Sequence, residues 1–189
     1  MINILAIILI IISCILILGN MLLKNSAFVG IRSIVKKYFS MFSKEKGQLL
    51  IVWLFPGMLA LGIGILNVAD KDMYQNIIVA VSIFVSMLFA MMSILTTRDL
   101  SVIEDVKQRE RAKSVLRETN NSILFSVCLA VFEIILCLVS IATEKLQIDV
   151  RGLSIEVGRI LWIVVVYLFE VVLLNMMIIV KRLSKIMNN

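Results

Sequence analysis

Residues 122–143 read SILFSVCLAVFEIILCLVSIAT, and the reading of this stretch decides the fold. It is apolar along its length except for small hydroxyls and one carboxylate, Glu133, near the middle. A helix of about 20 residues rises far enough to cross a hydrocarbon core of about 30 Å. The stretch is therefore a candidate membrane span with an acid at mid-depth, and no Lys or Arg lies within it to neutralise that acid.

Four other runs have the same character. They are 2–23 (INILAIILIIISCILILGNMLL), 49–68 (LLIVWLFPGMLALGIGILNV), about 76–96 (NIIVAVSIFVSMLFAMMSILT) and 159–180 (RILWIVVVYLFEVVLLNMMIIV). The whole chain is 61% apolar with a mean hydropathy of +1.04. Soluble domains run nearer half apolar, and their apolar residues do not cluster into such runs. The expected fold is one all-α membrane domain over 1–189. It is a polytopic transmembrane helical bundle of four to five spans with short cytoplasmic basic helices at about 27–44 and 98–120. The first run has no basic segment before it and no small-x-small cleavage site after it, so it is read as a retained helix.

Charge orients the spans. Lys24, Arg32, Lys36, Lys37, Lys44 and Lys46 lie between the first and second runs. Arg98, Lys107, Arg109, Arg111, Lys113 and Arg117 lie between the third and fourth, and Lys181, Arg182 and Lys185 follow the fifth. The opposite side holds only Lys71, Lys145, Arg151 and Arg159, a bias of fifteen to four. Basic loops stay on the cytoplasmic side, so the expected location is the inner (cytoplasmic) membrane, multi-pass, with the C-terminus cytoplasmic.

The basic segments have their own patterns. In 27–44, AFVGIRSIVKKYFSMFSK, residues Phe28, Ile31, Val35, Tyr38, Phe39 and Phe42 recur at helical spacing, and Arg32, Lys36 and Lys37 fall away from that stripe. This is a basic amphipathic helix suited to the inner interface, with anionic lipid or a polyanion such as an oligonucleotide as its counter-charge. In 98–121, RDLSVIEDVKQRERAKSVLRETNN, charges of both signs interleave without Gly or Pro. A helix continuing the third span is expected there. Val102, Ile103, Val106, Val115 and Leu116 form a narrow seam that Glu110 and Lys113 interrupt, which does not support a strict coiled coil. Asn120, Asn121 and Ser122 are expected to break the helix and cap the fourth span.

Glu133 has a counterpart in Glu170. Glu133 lies ten residues beyond Ile123 and Glu170 ten residues before Val180. The two spans run antiparallel, so both acids sit at about 15 Å depth by helical rise. A carboxylate at mid-bilayer costs about 3 kcal/mol even on lenient scales. It is relieved by protonation, by a water-filled cavity or by hydrogen bonds to groups such as Asn175, Ser126 or Ser140. Glu133, Glu170 and Asn175 are thus candidates for a pore lining, favouring cations in an oligomeric ring, or for proton sharing between packed helices. In the second run, Pro56 and Gly57 mark a candidate hinge or packing kink, and Ala60 with Gly64 makes a small-xxx-small pair for close helix contact.

Enzymatic chemistry is not expected. The chain has no His, and Cys14, Cys128 and Cys137 lie inside apolar runs without metal-ligand spacing. No catalytic residue, metal or cofactor is assigned. A transporter gains little support, because the runs show no inverted repeat.

Three stretches, WLFPGMLALGIGI, NIIVAVSIFVSMLFAMMSIL with the charged helix after it, and LRETNNSILFSVCLAVFEIIL, resemble small membrane effectors of bacterial anti-phage defence systems. The likeness covers roughly residues 50–140 and is nearest the channel effector of the Hailong system, with the membrane subunit of the Kiwa system second. The resemblance implies a homo-oligomeric channel, a tetramer, held closed by a nucleotide-derived ligand at the cytoplasmic face and opened on infection to depolarise the cell. It implies a ligand site among the basic residues of 32–46 and 98–117. The competing expectation is a non-conducting membrane anchor or sensor that recruits a cytosolic partner protein through those basic helices.

Overall fold

The computed structural model describes residues 31–41, 46–66, 70–97, 105–143, 147–150 and 153–187. The first apolar run lies outside them, as do residues 42–45 and 98–104. Five helices are described: α1 Ile31–Met41, α2 Lys46–Leu66, α3 Lys71–Thr97, α4 Val106–Thr143 and α5 Val157–Met187. Three of them contain stretches long and apolar enough to cross a membrane: Lys71–Thr97, Val106–Ala142 and Gly158–Ser184. α2 contributes a shorter apolar helix, Leu50–Leu66.

Between α4 and α5 the chain forms a feature that the reading of spans and loops missed. β1 Gln147–Val150 and β2 Leu153–Glu156 pair as an antiparallel hairpin, with Gln147 opposite Glu156 and Val150 opposite Leu153. The bundle itself is all-helical as expected, and this short hairpin is an addition to it. The signal was present: QIDV and LSIE alternate apolar and polar residues about a two-residue connection ending in Gly152.

α4 and α5 form the centre of the bundle. Ile123 of α4 and Ile179 of α5 share one buried cluster with Leu88 and Leu95 of α3. Cys137 of α4 shares another with Trp162, Val165 and Val166 of α5 and with Ala60 and Tyr74. Progress along α4 therefore matches retreat along α5, which defines an antiparallel pair. α3 packs on α4 and α2 on α5, while α1 lies against α4. The α2–α5 contact uses the small residues. A Cβ added at Gly64 would collide with Cγ1 of Ile163 and stand 2.9 Å from its Cδ1. Ala60, one turn earlier, is fully buried. α2 continues through the buried Pro56 as one helix, and an added Cβ at Gly57 would meet the Tyr167 ring at 3.7 Å. Pro56 and Gly57 thus sit at a packed helix contact.

Helix starts follow side-chain capping. Asp70 Oδ1 accepts from the Met73 N–H at 2.9 Å at the head of α3. Asp105 Oδ1 accepts from the Lys107 N–H at 2.8 Å at the head of α4. The expected break at Asn120–Ser122 does not occur. α4 runs unbroken through it, so the charged segment from Val106 and the apolar stretch after it form one helix. The reason is local. Ser122 Oγ turns back to donate to the Glu118 carbonyl and Thr119 Oγ1 to the Val115 carbonyl, geometries compatible with helix interior rather than a cap.

Candidate functional site: a buried carboxylate and a docked basic helix

The polar residues of α4 share one face. Thr119, Ser122, Ser126, Glu133 and Ser140 follow one another at spacings of three, four, seven and seven residues, and each is 3% exposed or less. Ala130 and Cys137 lie on the same face and are fully buried. This face points into the bundle against α3 and α5. Glu133 is enclosed in its own protomer, and neither carboxylate oxygen has a hydrogen-bond partner among the described residues. Ser126 Oγ is likewise buried and unpartnered, whereas Ser140 Oγ donates to the Leu136 carbonyl at 2.8 Å.

The pairing of α4 with α5 places Glu133 level with Phe169 and Glu170, in agreement with the depth count from the sequence. The two acids differ in environment. Glu170 is half-buried, and no hydrogen bond links the two. Phe169 stacks on Phe84 of α3 with ring centroids 5.9 Å apart, so the level of Glu133 is walled by aromatic rings.

Asn175 belongs to a different constellation. It is buried, and its Oδ1 accepts a hydrogen bond from the phenol of Tyr38 on α1. Its Nδ2 has no partner among the described residues. The Tyr38 ring stacks on Phe125 of α4, centroids 3.9 Å apart and planes 16° from parallel. Ile34, Val35, Trp53 and Leu129 complete the cluster, and Phe39 stacks on Trp53 at 5.4 Å. Burial pushes the Tyr38 phenol up to about 12, only partly offset by the Asn175 hydrogen bond and the nearby Arg182 guanidinium, so at neutral pH it stays a donor.

This arrangement gives part of the apolar stripe of α1 a protein partner. Of its described members, Val35 and Tyr38 pack into the cluster with Trp53 of α2 and Phe125 of α4, Phe39 stacks on Trp53 while still 38% exposed, and Arg32, Lys36 and Lys37 are exposed; Phe28 and Phe42 lie outside the described residues. Lys44 lies outside the described residues, and Lys46 opens α2. On the charged N-terminal half of α4, Lys107, Arg111, Lys113 and Arg117 are exposed and Arg109 is half-buried. Val115 and Leu116 of that half pack with Leu183 of α5, and Arg182 pairs with Glu118 at 3.8 Å. The seam expected there is real in part, and its partner is the end of α5.

α3 carries a pattern the sequence reading passed over. Ser82, Ser86, Ser93 and Thr97 share an exposed face with Ala90, at a spacing of three, four and seven residues. Their hydroxyls donate to the preceding turn, Ser82 to the Ile78 carbonyl at 2.7 Å and Ser86 to the Ser82 carbonyl at 3.0 Å. Only 11% of the apolar stretch of α3 is buried, against 39% for α4 and for α5. Hydroxyls recurring at this spacing were the available signal.

No protein-family model, curated protein or solved structure matches the chain.

Proposed function

We propose that the chain is one subunit of a homo-oligomeric membrane channel of the cytoplasmic membrane, multi-pass with its C-terminus inside, gated from the cytoplasmic face. The observation that carries this reading is the open hydroxyl-bearing face of α3. A lone helix in lipid gains nothing from a stripe of Ser82, Ser86, Ser93 and Thr97. Helix contacts in membranes are enriched in such small residues, and a water-filled axis is lined by such hydroxyls. The docked helix α1 supplies the gate. Its exposed Arg32, Lys36 and Lys37 offer a cationic surface to a nucleotide or oligonucleotide ligand, while its other face holds α2, α4 and α5. Together with the resemblance to anti-phage effectors, this assigns depolarisation of the cell as the output.

Reconstituted full-length protein tests the reading. Serine-to-cysteine exchange at Ser86, in a chain whose own cysteines are replaced by serine, is expected to give disulfide-linked dimers in membranes. Triggered liposomes are expected to leak monovalent ions, and the triple variant Ser82→Leu, Ser86→Leu, Ser93→Leu is expected to block the leak. A monomer that passes no ions under any ligand would overturn it.

A second reading rests on the cytoplasmic half of α4, whose exposed charges of both signs suit a protein partner. There the chain would be a non-conducting anchor. Pull-down of a soluble protein, lost on charge reversal at Lys36, Lys37 and Arg109 and accompanied by no ion flux, would favour it.

A further inference from the structure

The inner face of α4 carries a buried row of polar residues, interrupted at Ala130 and Cys137. From Thr119 to Ser140 it spans about 32 Å by helical rise, the thickness of a hydrocarbon core. Glu133 sits two-thirds of the way along. Its neighbours leave it uncompensated. On α4 the nearest titratable group is Cys137, one turn on. On α3 the only titratable side chain between Asp72 and Thr97 is Tyr74, and on α5 only Tyr167 and Glu170 lie between Arg159 and Lys181. No cation on a packed helix faces this acid among the described residues. Two buried polar groups, Ser126 Oγ and the Glu133 carboxyl, lack a protein partner among the described residues. Buried polar groups without protein partners are the usual positions of ordered water.

We infer that each protomer holds a water file along the inner face of α4 and that Glu133 is its proton-binding group, giving a proton path separate from the axis between protomers. The spacing fits. Ser126 to Glu133 and Glu133 to Ser140 are each about 10 Å along the helix, too far for a direct hydrogen bond and bridged by about three waters at ordinary hydrogen-bond separation. Ala130 and Cys137 are the small residues at those two gaps. The hydroxyls of Thr119, Ser122 and Ser140 donate to carbonyls one turn back, so toward the file they can only accept, which orients the waters. In one cycle the carboxylate takes a proton from the water on one side and becomes a neutral acid. It then releases the proton to the water on the other side and returns to the carboxylate. One positive charge crosses per cycle and no bond other than O–H changes.

The test uses the full chain in liposomes with a pH-sensitive dye inside and a potassium–valinomycin potential across the membrane. The wild-type chain is expected to pass protons without any channel ligand. Glu133→Gln is expected to lower that flux by at least about tenfold, Glu133→Asp to retain part of it, and Glu170→Gln to leave it unchanged. Dicyclohexylcarbodiimide, which modifies protonated carboxyls in apolar surroundings, is expected to label Glu133 and to block the flux. The infrared carbonyl band of the acid is expected to shift in D2O and to be missing from Glu133→Gln. Equal flux in wild type and Glu133→Gln, no proton flux in the wild type, or a carboxyl band that stays unshifted in D2O would each overturn the inference. Ion leak through the α3 axis uses other residues and another readout, so either result stands without the other.

Discussion

Glu133 shows what one buried acid costs and what it implies. A carboxyl group with no protein partner among the described residues gives up bulk water for at most a few confined waters, a penalty of about 1–3 kcal/mol. Glu133→Leu, which removes the group at similar volume, is expected to raise stability by about 1–3 kcal/mol in a thermal or denaturant melt in detergent, while losing the proton path. Tyr38 and Asn175 behave in the opposite way, because each satisfies the other. Tyr38→Phe keeps the stack on Phe125 but strands the Asn175 oxygen, and is expected to cost about 1–3 kcal/mol. The Asn175→Leu exchange in that background is expected to recover part of the loss, which a double-mutant cycle measures directly. The phenol also sets a pH window. Its value rises from 10.0 to about 12 on docking, so the contribution is whole below pH 10 and is lost as pH climbs toward 12. Tyrosine absorbance at 295 nm, followed across that range in wild type and Asn175→Leu, checks the direction. At Gly64 the effect is steric. Gly64→Val is expected to push α2 from α5 and cost about 1–3 kcal/mol, with relief when Ile163 is cut back to Ala.

Among the elements, α4 is where local signals and the folded helix part company. Asn120, Asn121 and Ser122 are good cap residues, and the change from charged to apolar sequence falls there too. The helix nevertheless starts at Asp105, whose side chain caps it, and runs on to Thr143. Packing outweighs the local preference. Val115 and Leu116 below the junction and Ile123 above it belong to one buried cluster with Leu95, Ile179 and Leu183, so a bend at Asn120 would split that cluster. The consequence is testable. Proline is welcome in the first turn of a helix but costs about 3 kcal/mol in its interior. Asn121→Pro is therefore expected to destabilise the protein by about that amount, whereas a break at this point would have tolerated it. α1 was legible as a helix with one apolar and one basic face, but not its position. Amphipathicity states that a face must be covered; it does not distinguish lipid from Phe125 and Trp53. The β1–β2 hairpin was legible in its two-residue alternation, which the search for 20-residue apolar runs overlooked.

Across the molecule, the three long apolar helices and the cationic bias together predict a simple experiment. Single cysteines at Arg111 and Ser184, in a chain with its own cysteines replaced, are expected to react with impermeant maleimide only after cells are opened, which checks the inward placement of both basic ends. The level relation between Glu133 and Glu170 was already in the sequence, because helical rise is constant and antiparallel spans share end points. The division of labour between them was not, since depth says nothing of the direction around the helix. Sequence alone determined the solvent of this protein: runs of about 20 apolar residues are stable as helices in lipid, and clustered Lys and Arg resist crossing it. Only the tertiary structure decided which helix faces meet. It turned the hydroxyls and Glu133 of α4 inward, left the hydroxyls of α3 outward, and tied Asn175 to Tyr38 at a separation of 137 residues. Those choices depend on interhelical packing between distant segments, where close contact at Gly64, ring stacking at Phe125 and shared burial across helices select one arrangement from many that the same hydropathy allows.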